Sequence, residues 1–145
     1  MKTIILSFFL LPFSFLFSQG NLQFNQVFNY SLSGTFNANL TNSSAAFTMQ
    51  TINVTVPINK VWKIESTSCR ASISTHVNSP YHTPYLLLNN NLISSTDSEV
   101  TLNSVCPIWL PSGNYVIQLL IQTSGNYAAG NAYGMISAIE FNIIP

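Results

Sequence analysis

Phe24-Asn25-Gln26-Val27-Phe28-Asn29-Tyr30-Ser31-Leu32-Ser33-Gly34-Thr35-Phe36-Asn37-Ala38-Asn39-Leu40 alternates with a period of two. The even positions are Phe24, Gln26, Phe28, Tyr30, Leu32, Gly34, Phe36, Ala38 and Leu40, and the odd ones are almost all Asn, Ser or Thr. Successive side chains of a β-strand point to opposite faces, so this pattern lays one face on a core and the other in water. A strand this long is unusual, and Ser33-Gly34 is the expected place for a break or a bulge.

Similar stretches follow. Phe47 to Val56 changes phase between Met49 and Ile52, and Val61 to Val77 changes phase between Trp62/Ile64 and Cys69/Ala71/Ile73. An inserted residue shifts alternation in this way, so both predict bulges. Tyr85-Leu86-Leu87-Leu88 and Asn91-Leu92-Ile93 flank Asn89-Asn90, which tolerates the positive φ of a tight hairpin turn. Val100, Leu102, Cys106, Ile108 and Leu110 keep one phase, as do Tyr115, Ile117, Leu119 and Ile121. Met135, Ile139, Phe141 and Ile143 mark the last strand. Beyond the first twenty residues, no segment of ten shows capped helical periodicity. The fold class expected is all-β, an antiparallel β-sandwich of about eight strands in a jelly-roll-like arrangement.

The chain begins with Lys2, an apolar run from Ile4 to Phe17, and then Ser18-Gln19-Gly20. That order is the order of a secretory signal peptide, with cleavage after Ser18 or Gly20. A membrane helix is the competing reading, but the run holds Pro12, Ser7 and Ser14 and falls short of the roughly twenty residues needed to span a bilayer. Residues 1–20 are therefore expected to be a leader and 21–145 a single secreted domain, extracellular or periplasmic. After the leader, Lys60, Lys63 and Arg70 stand against Glu65, Asp97, Glu99 and Glu140, a net charge of −1. Nucleic acid and anionic lipid both need clustered Lys and Arg, so neither is an expected partner. An oxidising compartment favours joining the two cysteines, Cys69 and Cys106; the alternative is two buried free thiols.

Val56-Pro57 through Ile64, Pro107-Ile108-Trp109-Leu110-Pro111-Ser112-Gly113, and Ile136-Ser137-Ala138-Ile139-Glu140-Phe141-Asn142 resemble small exported bacterial β-sandwich proteins of unassigned function. The resemblance implies a fold and an extracytoplasmic setting. No functional residue is carried over from it.

Chemistry is sparsely represented. A nucleophilic triad would have to use His76 or His82 with Asp97, the sole aspartate, and no Gly-x-Ser-x-Gly elbow presents a serine. A glycosidase needs two carboxylates across a cleft, from Glu65, Asp97, Glu99 and Glu140; Glu65 and Glu140 sit in strands, facing solvent or pairing with Lys63 or Arg70. His76 and His82 lack a metal-ligand spacing, and Asp97 with Glu99 lacks the other ligands of a calcium loop motif. The chain is thus expected to be no enzyme and to carry no metal or cofactor. Two stretches, 76–85 and 124–133, read as long loops joining aromatic rings to Asn, Ser and Thr. Rings beside amide and hydroxyl groups suit sugars, which makes Tyr81, His82, Tyr85, Tyr127 and Tyr133 candidate ligand contacts; the alternative is that each ring packs across the base of its loop. The leading expectation is a binding module for a glycan or another cell-surface component. The rival is a structural, self-assembling subunit, because few charges guard the strand edges. A small secreted hydrolase stands third.

Overall fold

The computed structural model describes residues 21–77, 82–96, 101–102 and 106–144, with the backbone alone at 21, 38–44, 75–77, 101–102 and 124–128. The expected leader, Tyr81, Asp97 and Glu99 lie outside the described residues. Among the described residues there are seven strands: β1 (Asn21–Val56), β2 (Lys60–Val77), β3 (His82–Leu88), β4 (Asn91–Thr96), β5 (Thr101–Leu102), β6 (Ile108–Leu110) and β7 (Gly113–Ile144).

β1 and β7 are antiparallel partners from Asn21↔Ile144 to Val56↔Gly113, and this ribbon passes through two sheets. In the first sheet the stretch 21–39 of β1 lies beside 127–144 of β7, which pairs on its other side with β2, and β2 pairs with β6. In the second, 45–56 of β1 lies beside 113–123 of β7, followed by β3, β4 and the short β5. Counting the halves of β1 and β7 separately gives four antiparallel strands in each sheet, with β5 as an appendage. The chain is folded double: the first strand pairs with the last, the second with the one before it, β2 with β6, and β3 with β4. That pairing is a jelly roll.

Inward side chains from both sheets form one core. Leu32 and Phe36 come from β1, Ile64 from β2, Leu86 from β3, and Ile117, Leu119, Ile121 and Ile136 from β7. Each fully buried aliphatic contributes about 1.5–3 kcal/mol relative to leaving it in water.

The opening stretch alternates as expected from Phe28 to Phe36, but Phe24 is reversed. A register shift between Phe24 and Gln26 leaves Asn25 unpaired, which turns Phe24 outward to 59% exposure. The strand does not break at Ser33-Gly34. It is irregular instead between Asn39 and Ser43, where the ribbon passes from one sheet to the other. Gly34 has another purpose: a Cβ there would lie 2.8 Å from the Cβ of Met49, so the two halves of β1 approach too closely for any side chain. The expected bulges of β1 and β2 are found at Met49 and Glu65, where partner registers skip one residue. Asn89 and Asn90 take φ of 47° and 65°, the tight hairpin turn expected between β3 and β4.

Gly130 faces inward where β7 crosses β2, and a Cβ there would collide with the carbonyl oxygen of Ser72, a backbone atom that cannot yield alone. Gly130→Ala is therefore expected to cost about 1–3 kcal/mol, as overpacking does, read as a lower urea midpoint at unchanged m-value. An unaltered midpoint would show that the strands relax freely at this crossing.

Candidate functional site

The outer face of the first sheet carries a groove of about 550 Å³. Its walls are two rows set by the register. Ser31, Met135 and Ser68 stand abreast in one, and Ser33, Tyr133 and Arg70 in the other. Between them Leu32, Gly134 and Cys69 turn their side chains away, so their backbone is the floor. Beneath the floor the core packs close to the backbone of Gly134, where a Cβ would lie 3.0 Å from Leu86. Short serines beside taller Tyr133, Met135 and Arg70 give the groove its relief.

The Arg70 guanidinium lies 5.0 Å from the centre of the Tyr133 ring, a cation–π contact that orients both. At the rim, the backbone amide of Ser33 donates to Oε1 of Gln50 at 2.7 Å, so a side chain satisfies an edge amide of the strand. The groove therefore offers hydroxyls that donate and accept, a guanidinium that donates, and the apolar surfaces of a ring and a thioether. Its described lining holds neither a carboxylate nor a histidine. What the lining offers a ligand is stacking and hydrogen bonds.

The five residues singled out in the sequence do not converge. Tyr133 lines the groove. Tyr85 lies on the outer face of the other sheet, where its hydroxyl donates to Gln122 at 3.0 Å. His82 opens β3 with its ring 6.0 Å from that of Phe36, between the sheets. Tyr127 belongs to β7, with backbone partners Asn39 and Val77, and Tyr81 lies outside the described residues. The expected loop at 124–133 is strand throughout, because β7 continues from one sheet into the other. Ser31, Ser33, Ser68, Arg70 and Met135 were not singled out. Ser31 and Ser33 stood in plain view on the polar side of the opening stretch, but only the register shows that β2 brings Arg70 level with them.

The expected disulfide is absent: Cys69 and Cys106 are free thiols. Cys69 faces the core, where Sγ donates to the carbonyl of Pro84 at 3.4 Å. The ladder between β2 and β6 ends at the pair Ile64↔Ile108, and neither cysteine takes part in it. Burial pushes the Cys69 thiol above its usual range, which outweighs the hydrogen bonds from Ser94 and Thr96.

Glu140 also departs from expectation. It is neither solvent-facing nor paired with Lys63 or Arg70, but 4% exposed at one end of the sandwich. Lys60 Nζ reaches it at 2.9 Å, Trp62 Nε1 donates to it at 2.8 Å, and the side-chain amides of Asn25 and Gln26 donate as well. Burial raises its pKa, but the bonds from Trp62, Lys60 and Asn25 and the Lys60 charge prevail and hold the carboxyl below the usual range. The phenol of Tyr30 is pushed up, by burial first and by this carboxylate second. With both oxygens accepting hydrogen bonds, Oε1 from Asn25, Gln26 and Lys60 and Oε2 from Trp62, the cluster is a structural clasp between β1, β2 and β7. Lys63 meets Glu65 at 2.7 Å as an exposed pair. Among the described residues, no three His, Cys, Asp or Glu side chains converge as a metal site would require.

No family model matches the chain, and no curated protein matches it in sequence. Among solved structures, infectious bursal disease virus of the Gt strain is similar at 10% identity with a TM-score of 0.39, covering 84% of this chain and 39% of the viral one. The Gx strain is similar at 11% identity and a TM-score of 0.42, covering 84% and 43%, and the VP2 subviral particle of that virus at 12% and 0.40, covering 84% and 39%. The chain thus spans about two-fifths of the length of these viral chains.

Two measurements follow from the buried groups. In the folded, unreduced protein a thiol reagent should modify Cys106 within minutes and Cys69 only after denaturation, when two thiols are counted; one mixed peptide joined by a disulfide would refute this. Because folding lowers the Glu140 pKa, its contribution is complete above the unfolded value near 4.3 and is lost as pH falls through the folded value. Glu140→Gln should accordingly destabilise the protein at pH 7 and flatten its loss of stability in acid, whereas parallel pH profiles for the two proteins would show that the clasp does not ionise as described.

Proposed function

We propose that the chain is an exported, non-enzymatic binding module that takes a glycan, or a comparable surface component, in the groove of the first sheet. The observation that carries this reading is the lining of the groove: Tyr133 and Met135 give apolar surface, and Ser31, Ser33, Ser68 and Arg70 surround it with hydrogen-bonding groups. A sugar ring has one apolar face and a rim of hydroxyls, and it is bound by this combination of surfaces. Its volume lies within the range of small-ligand sites, roughly 300–1,000 Å³. Arg70 adds a planar donor able to bridge two oxygens of one ligand. Export rests on the order of charge, apolar run and small residues in 1–20.

A glycan array probed with the wild-type protein, Tyr133→Ala, Arg70→Ala and Tyr85→Ala tests the reading. Tyr133→Ala and Arg70→Ala should each weaken the bound glycans at least about tenfold, equivalent to 1.4 kcal/mol, and Tyr85→Ala on the opposite sheet should leave them unchanged. Equal binding by all four proteins, or none by the wild type, would overturn it.

A further inference from the structure

The same outer face carries a second feature, at the end of the sheet away from the groove. β1 presents Leu22, Phe24 and Val27 there, exposed by 47, 59 and 56%, β6 presents Trp109 at 47%, and β7 presents Ile143 at 43%. The register makes them continuous. Leu22 is opposite Ile143, Phe24 opposite Phe141, and Val27 opposite Ile139, while Lys63 lies between Ile139 and Trp109. Trp109 and Phe141 have ring centres 5.9 Å apart, so the apolar surface crosses all four strands without a gap.

We infer that this surface is the interface with a second copy of the chain. Large apolar side chains carry 150–250 Å² each, and five exposed by about half amount to roughly 500 Å². A standard interface buries about 800 Å² per partner, with an apolar centre and a polar rim. The patch supplies the centre of such an interface, and Asn, Gln and Ser around it supply the rim. Its one cation, Lys63, lies over the Trp109 ring at 5.6 Å and is already paired with Glu65. A face holding one neutralised pair has no charge to repel its own copy and little to attract an anionic membrane. A two-fold arrangement needs a self-complementary surface, which a nearly uncharged apolar face is. The border of the patch is independently unguarded. Among the described residues β1 pairs with β7 alone, and its 36 residues include no Asp, Glu, Lys, Arg or Pro, the residues that ordinarily block association at an edge strand.

This inference shares no residue with the groove and stands apart from the glycan reading. Sedimentation equilibrium of the purified exported protein, freed of residues 1–20, with and without Phe24→Glu/Val27→Glu, decides it, with Leu92→Glu on the second sheet as a control for added charge. The wild type and Leu92→Glu should show twice the mass of one chain, and the double variant should dissociate at least tenfold more readily while keeping the wild-type circular dichroism. A wild type that stays monomeric to millimolar concentration overturns the inference, as does a double variant that is folded and equally dimeric. Should the double variant fail to fold, Trp109→Ser takes its place with the same expected weakening. Binding of a monomeric wild type to phosphatidylcholine vesicles would assign the face to lipid and equally overturn it.

Discussion

The pairing of β1 with β7 is the constraint on which the other contacts depend. The two strands share one ladder from end to end, and each sheet is assembled outward from it. β2 and β3 follow one another in the chain without pairing with each other; each lies beside a different half of β7. The core follows from the same ribbon. Because β1 and β7 cross from one sheet to the other, their inward side chains meet one another across the sandwich, with Leu32 and Ile136 on one side and Ile117, Leu119 and Ile121 on the other.

The charges are few, and the described ones are placed economically. The buried carboxylate of Glu140 ties three strands together at one end through donors on both of its oxygens. A buried carboxylate with fewer partners would cost more than it contributes. Elsewhere hydroxyls and amides supply most of the polar surface, so the outer faces are chemically varied without being strongly charged. On the first sheet this leaves two neighbouring surfaces of different character, one serine-rich around an arginine and a tyrosine, the other almost purely apolar.

Alternation made the fold class legible in the sequence, and the Asn-Asn turn and the bulges of β1 and β2 were legible as well. Phe24 and Gly34 were misread for different reasons. A single extra residue at Asn25 reverses everything before it, and composition does not show whether a polar residue is paired or bulged. Gly34 reads as a breaker in isolation, whereas its role is to admit Met49 from a part of the chain fifteen residues away. The candidate site was less legible still. Aromatic residues in apparent loops drew attention, yet 124–133 is strand, and Tyr133 gains its partner from β2. Ser68 and Arg70 carry no signal of their own; which residues stand beside them is a matter of register between segments some sixty residues apart.

The ribbon also governs when this protein can fold. Asn21 waits for Ile144 and Val56 for Gly113, so the longest closure joins nearly the two ends of the domain. Contacts so distant along the chain make for a high contact order, with the entropy of closing a large loop met before the ladder returns any stabilisation. Among the described residues β1 has its ladder with β7 alone, so that pairing comes late. A ribosome stalled before β7 would hold a chain whose residues 21–56 lack the ladder that they form in the fold.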